Sequence, residues 1–170
     1  MADSALTDAE RRFLQELELR GVAYMLVGLS AASLQGANTT TLDIDLWFER
    51  TSDPRIAEAA RAVGGDWISG AETMPPQLAG VLDRFDLVNY MHGLERFEIE
   101  LAHAKTIAVE GVTLRVLPLD RIIASKRAAD RPKDRAVRGA AVCDQRRLRC
   151  SRTTDPEQQR CGRDDQHHQP

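Results

Sequence analysis

The sequence predicts an α/β fold, an α+β arrangement in which a mixed β-sheet is flanked by helices. Short apolar segments that are typical of strands alternate along the chain with segments whose apolar residues recur at helical spacing. Residues 41–48 alternate strictly between apolar and polar side chains, as a half-buried strand does. Residues 106–118 contain Glu-Gly at their centre and are typical of a hairpin, which adds an antiparallel pair to the sheet.

Length and charge limit the kinds of protein to consider. The chain has 170 residues, the length of one domain, and its formal net charge is −3. With that charge no global positive field attracts a polyanion, so a nucleotide would have to be bound locally. No apolar run approaches the ~20 residues that span a bilayer, and the start, MADSALTDAERRF, lacks the apolar stretch of a signal peptide. We expect a soluble, cytoplasmic protein without a membrane span.

The first 65 residues predict three helices and two strands. Thr7 or Asp8 can cap the first helix, and Asp53-Pro54 is a typical helix start. VAYMLV is continuously apolar, as a strand covered on both faces should be. The expected elements are a helix over 7–20, a strand over 22–27, a short helix over 31–35, a strand over 41–48 and a helix over 53–63.

The next 65 residues are less regular. The segment 94–104 fits a strand through Phe97, Ile99 and Leu101 and a helix through Phe97, Leu101 and Ala104, and we favour the helix. The expected elements are a loop over 66–76, a strand over 84–91, the helix over 94–104, a hairpin over 106–118 that turns at Glu110-Gly111, and a helix over 119–131 that runs towards Pro132.

Two carboxylates lie two residues apart in the alternating segment. Asp43 and Asp45 should project from the same face of a strand, about 7 Å apart at their Cα atoms, with Leu42, Ile44, Leu46 and Phe48 pointing to the other face. Carboxylates at this spacing can share or bridge hard cations, as two-ion phosphoryl transfer requires. A solvated strand face carries such a pair as well, so the order of the surrounding segments decides between the two interpretations.

A glycine turn precedes the two carboxylates. The buried strand ends at Gly28, a turn with Ser30 leads into a short helix, and Asp43 and Asp45 follow on the next strand. A glycine lets the backbone approach a phosphate, and a helix start offers unpaired N–H groups and the positive end of its dipole. This order favours a site for a nucleotide over a solvated strand face.

The run LVGLSAASLQGANTTTLDIDLWF resembles the signature of the nucleotidyltransferase fold of the DNA polymerase beta superfamily: a glycine followed by glycine or serine, a spacer, and Asp-x-Asp. RFDLVNYM resembles the strand of the third carboxylate, which implies Asp86, with Asp83, Glu98 and Glu100 as alternatives. VTLRVLPLDRIIASKRAADRPKD is similar to the closing segment of small bacterial nucleotidyltransferase-like proteins. The resemblance covers residues 20–136.

The resemblance implies an enzyme that transfers a nucleoside monophosphate from an NTP to a hydroxyl and releases pyrophosphate with two Mg²⁺ ions. The acceptor would be a small molecule such as an antibiotic, a protein or an RNA end. The residues implied for the site are Asp43, Asp45 and Asp86 as metal-binding and catalytic groups, and Gly28, Ser30 and Lys126 as groups that bind the phosphates of the NTP.

Two features depart from this pattern. Leu29 stands where the family usually has glycine or serine. The alternative is a catalytically inactive member that keeps the fold and acts as a binding or regulatory partner of a cognate protein, as in bacterial toxin–antitoxin pairs.

Residues 138–170 have no aromatic side chain and few large apolar ones, so beyond a domain over 1–137 we expect either a flexible tail or an aberrant, frameshifted end.

Overall fold

The computed structural model describes residues 6–71 and 74–129. Within these ranges the helices are α1 Asp8–Leu19, α2 Gly28–Leu34, α3 Pro54–Ala62, α4 Phe97–Ala102 and α5 Leu119–Ala129, with a 3-10 turn at Gly80–Leu82. The strands are β1 Tyr24–Leu26, β2 Ile44–Phe48, β3 Asp66–Ile68, β4 Gln77–Ala79, β5 Phe85–Val88, β6 Lys105–Val109 and β7 Val112–Val116.

Five of the strands form one sheet in the order β5-β2-β1-β7-β6. The pairs β1–β7 and β2–β5 are parallel, whereas β1–β2 and β6–β7 are antiparallel. The predicted α/β fold, a mixed sheet flanked by helices, is therefore confirmed. No helix in the described part of the chain combines the length and the apolar character needed to cross a membrane.

Helix α1 begins with the capping that its sequence predicts. Thr7 accepts a hydrogen bond from the backbone N–H of Glu10 at 3.2 Å, and the Glu10 carboxylate accepts one from the N–H of Thr7 at 2.7 Å. Phe13, Leu14 and Leu17 are fully buried. Because of their spacing, these three side chains lie on one side of α1 and form the apolar stripe that packs into the core.

The predicted hairpin turns where its sequence indicates. Glu110 has φ 48° and Gly111 has φ 83°, so both central residues adopt the left-handed conformation of a type I′ turn. In β7 the buried side chains alternate with exposed ones. The hairpin adds the antiparallel edge pair to the mixed sheet.

Several predicted boundaries were wrong. Helix α2 begins at Gly28, three residues before the expected start. The expected loop over 66–76 contains β3, which pairs with β4 in a separate two-stranded sheet. Strands of three residues are too short to show a period in the sequence. The end of the predicted helix over 119–131 and the predicted tail over 138–170 lie outside the described residues.

The strand expected over 41–48 begins only at Ile44. The Thr41 hydroxyl accepts a hydrogen bond from the backbone N–H of Asp43 at 3.2 Å, which forms a local turn in place of strand pairing. Leu42 was expected to point into the core but is 80 % exposed. From Ile44 onwards the expected core residues Ile44, Leu46 and Phe48 are buried, but Trp47 on the face of Asp45 is buried too, so only Asp45 keeps contact with solvent in β2.

Helices α4 and α5 are joined by an ion pair with a buried partner. Arg121 donates hydrogen bonds to both carboxylate oxygens of Glu100, one of them at 2.9 Å, and the backbone N–H of Glu95 adds another at 3.0 Å. The Glu100 side chain is 1 % exposed and that of Arg121 is 34 % exposed. These bonds, led by the one from Arg121, hold the pKa of Glu100 below its ordinary value of 4.5.

Replacing Glu100 by Gln is expected to lower the free energy of unfolding by about 1.5–3 kcal/mol, the contribution of hydrogen bonds to a charged group. Because the folded pKa of Glu100 is lowered, this stabilisation is present above about pH 4.5 and is lost as the pH falls through the folded pKa. Denaturant unfolding at two pH values measures the difference. Glu98→Gln, an exposed change on the same helix, is the control. Equal stability of both variants near neutral pH would contradict the account.

Candidate active site

Two of the predicted carboxylates lie side by side on neighbouring strands. Asp45 of β2 is paired with Asp86 of β5 in the parallel register. Residues paired in this way lie about 4.8 Å apart in the hydrogen-bonding direction and project from the same face of the sheet. Asp45 is half-buried and Asp86 is exposed, so both carboxylates are within reach of solvent.

A glycine is required beside the first of these carboxylates. Gly28 has φ 68°, in the left-handed region, and a Cβ atom at this position would lie 1.9 Å from Oδ2 of Asp45. The backbone N–H of Val27 donates a hydrogen bond to the carbonyl of Asp45 at 2.9 Å, which holds the turn against β2. The turn and the Asp45 carboxylate are therefore in direct contact, and only glycine fits there.

A cavity of about 710 Å³, which we call the Asp45 cavity, brings several of the predicted residues together. Gly28, Asp45, Asp86 and Lys126 all contribute to its lining. Lys126 is half-buried and comes from the last turn of α5. Lys126 supplies one cation, and Asp45 and Asp86 supply two carboxylates beside the Gly28 turn. Together these groups form a site in which a triphosphate and a hard cation can be held.

Helix α5 is positioned by a residue that the sequence did not single out. Gln35, which follows α2, donates a hydrogen bond to the Leu117 carbonyl at 2.9 Å and accepts one from the Leu119 backbone N–H at 3.1 Å. It thereby ties the helix that begins at Gly28 to the helix that carries Lys126. A glutamine at a helix end has no sequence signal that distinguishes this role from a solvated side chain.

Asp43 and Ser30 lie elsewhere. Both line a second cavity of about 490 Å³, the Asp43 cavity, which α2 and the segment before β2 border. The Ser30 hydroxyl donates a hydrogen bond to the Val27 carbonyl at 3.2 Å. Because the turn at Thr41 diverts the chain before Ile44, the structure does not bring Asp43 into the cavity of Asp45.

Among the residues that the structure describes, no three Asp, Glu, His or Cys side chains cluster closely enough to hold a metal ion.

The alternatives for the third carboxylate differ in their surroundings. Glu98 is exposed on α4, and Glu100 is engaged by Arg121. Asp86 and Asp83 both line the cavity that Asp45 lines, whereas neither glutamate does, and of these alternatives only Asp86 is paired with Asp45 in the strand register. The carboxylates of Asp45 and Asp86 fit magnesium, since this cation is commonly bound through one or two carboxylates together with substrate phosphates.

Sequence reasoning missed other residues that line the Asp45 cavity. Asn89, Tyr90 and His92 follow β5. Their position directly after a strand with a candidate carboxylate is the signal that could have identified them, because residues at the end of such a strand remain near the same cavity.

Comparisons with known proteins bear on the fold. No family model and no curated protein matches the chain. The solution structure of the antibiotic-resistance factor ANT(2'')-Ia matches with a TM-score of 0.53 and 15% identity, over 84% of this chain and 88% of that chain. A crystal structure of ANT(2'')-Ia in complex with adenylyl-2''-tobramycin matches with a TM-score of 0.50 and 16% identity, over 82% and 89%. An antigenic nucleotidyltransferase-like protein from Paracoccidioides brasiliensis matches with a TM-score of 0.46 and 15% identity, over 81% and 78%. The first two matches show that this chain has the nucleotidyltransferase fold.

Proposed function

We propose that the protein transfers a nucleoside monophosphate from an NTP to a hydroxyl acceptor in the cytoplasm, with magnesium, and releases pyrophosphate. The observation that carries the proposal is the register of Asp45 with Asp86, with the Gly28 turn in contact with the Asp45 carboxylate. The fold adds support, because one neighbour of the same fold was crystallised with an antibiotic that carries an adenylyl group. Fold alone does not choose among the three acceptor classes, which are a small molecule, a protein and an RNA end.

The carboxylates Asp45 and Asp86 would hold the cation. When bound, magnesium ions neutralise triphosphate charge and lower the pKa of the attacking hydroxyl. The acceptor oxygen forms a bond to the α-phosphorus, and the bond from that phosphorus to the bridging oxygen of the β-phosphate breaks. Pyrophosphate leaves with the electron pair, and the hydroxyl proton passes to solvent. The two side chains would thus position the cation that offsets the triphosphate charge; positioning and electrostatic stabilisation are what proteins generally contribute to phosphoryl transfer.

The chain would hold the phosphates from two sides. The backbone at Gly28 can approach a phosphate because no side chain stands there, and Lys126 supplies a positive charge from α5. Ser30 and Asp43 were expected to contribute as well. They line the neighbouring cavity, so the roles of Ser30 and Asp43 remain predictions from the sequence. The Asp43→Asn variant tests the role of Asp43.

Labelled nucleotides test the proposal. The purified full-length protein is incubated with magnesium, a cell extract and each of the four NTPs, labelled either at the α- or at the γ-phosphate. We expect one NTP to transfer the α-label to an acceptor and to release the γ-label as pyrophosphate. Transfer of the γ-label would indicate a kinase, and no transfer of either label from any NTP would contradict the proposed reaction.

A second candidate is the inactive member that binds a partner. The position of Asp43 and Ser30 outside the Asp45 cavity favours it, as does Leu29 directly after Gly28. This candidate predicts no transfer and no magnesium-dependent NTP binding, while a cognate protein co-purifies with the chain.

A further inference from the structure

We propose that Tyr90 forms a platform on which the base of the bound nucleotide stacks. The proposal rests on the proposed function, because it assigns the base-binding part of the same cavity. Tyr90 and His92 both line the Asp45 cavity, together with the two carboxylates. Neither residue carries a role in the transfer step described above.

Tyr90 is an exposed aromatic residue held in a defined position. Its side chain is 63 % exposed, although aromatic rings generally contribute most when they are buried. The ring contacts that of His92 edge to face, with 5.2 Å between centroids and 79° between planes. A contact of this kind restrains the Tyr90 ring, and its large exposure leaves aromatic surface to stack on a ligand.

A turn that contains His92 follows Tyr90 directly. The Leu94 backbone N–H donates a hydrogen bond to the Met91 carbonyl at 3.3 Å, and Gly93, the third residue of the turn, has φ 66°. That φ is the value that a type II turn requires at this position. A Cβ atom on Gly93 would lie 2.4 Å from Cβ of Ala128, so the turn packs tightly on α5, two residues beyond Lys126.

The spacing along the chain suits a nucleotide. Tyr90 follows Asp86 by four residues, at most ~13 Å at ~3.3 Å per residue. A ribose with its phosphates can bridge a separation of this order, with the phosphates at the carboxylates and the base at the ring. Stacking is possible with every base and is strongest for purines, which have the larger ring system. The ligand class that this part of the cavity fits is therefore a purine nucleoside triphosphate.

Affinity measurements separate this platform from the phosphate site. The dissociation constants of ATP, GTP, CTP, UTP and inorganic tripolyphosphate are measured with magnesium for the wild type, Tyr90→Ala and Tyr90→Phe. We expect Tyr90→Ala to weaken ATP and GTP roughly 5- to 150-fold and to leave tripolyphosphate unchanged, while Tyr90→Phe binds as the wild type does. Leu42→Ala, a truncation of another exposed apolar side chain at the other cavity, should change none of the affinities.

The outcomes distinguish the platform from the proposed function. Unchanged NTP affinities in Tyr90→Ala, with magnesium-dependent binding in the wild type, would overturn the platform and leave the transferase proposal standing. Equal wild-type affinities for tripolyphosphate and all four NTPs would also overturn it. Absence of NTP binding to the wild type would overturn both proposals.

Discussion

Replacing Asp45 by Asn is expected to reduce nucleotidyl transfer at least a hundredfold. The amide keeps the shape of the carboxylate but removes the charge that would hold the cation together with Asp86, its partner in the strand register. A hundredfold corresponds to about 2.7 kcal/mol of transition-state stabilisation, within the several kcal/mol that a bound metal ion supplies. Initial rates of α-label transfer measure the loss, and circular dichroism with thermal unfolding checks that the fold is retained.

Two variants serve as comparisons for Asp45→Asn. Asp86→Asn should lose transfer to a similar extent, because it removes the paired carboxylate of the same cavity. Asp43→Asn makes the same chemical change two residues away, at the other cavity. The observed geometry predicts the smaller loss for Asp43→Asn, whereas the sequence pattern predicts an equal loss. Transfer by Asp45→Asn at the wild-type rate would contradict the assignment of this site.

Gly28→Ala is expected to impair both transfer and stability. Its methyl group would meet Oδ2 of Asp45 at 1.9 Å, so the carboxylate or the turn must move. A displacement of about 1 Å at a reacting centre can cost roughly a hundredfold in rate. The left-handed φ adds a cost of about 1–2 kcal/mol for a side chain, and the clash adds a further cost of about 1–3 kcal/mol.

Gly36→Ala is the matched control for that variant. Gly36 follows the same helix α2 and has φ 89°, but no atom lies within 4 Å of the position of its Cβ. This variant has the conformational cost of about 1–2 kcal/mol without the clash. We expect it to melt at a lower temperature than the wild type and to keep its transfer rate. If Gly28→Ala and Gly36→Ala lost the same stability and kept the same rate, the contact with Asp45 would have no functional role.

Local patterns predicted the elements well because the physical causes are local. The capping by Thr7 and the turn at Glu110-Gly111 each depend on a few neighbouring residues, and both occur where the sequence indicates. The helix at Phe97–Ala102, which competed with a strand, is also confirmed. The strands β3 and β4 were missed because three residues offer too few positions for a period, whereas β1, equally short, was recognised from its continuous apolar run.

The site was predictable only in part because its assembly is long-range. Asp45 and Gly28 were recognisable from their order along the chain, but the contact between them depends on how β1 and β2 pair. The expectation that Asp43 would share the face of Asp45 assumed an uninterrupted strand. The strand begins only at Ile44, and before it the backbone N–H of Asp43 donates a hydrogen bond to the Thr41 hydroxyl. Such competition between a side chain and the strand ladder is not visible in a pattern of apolar residues.

Calorimetric titration of the wild type and of an Asp45→Asn/Asp86→Asn double variant tests the central claim most directly. Each of the four NTPs is titrated into the full-length protein with magnesium and, separately, with a chelator. We predict that at least one NTP binds the wild type only when magnesium is present and that the double variant, folded by thermal unfolding, does not bind it. Absence of NTP binding to the wild type, or equal magnesium-dependent binding to the double variant, would contradict the claim that Asp45 and Asp86 form a nucleotide site.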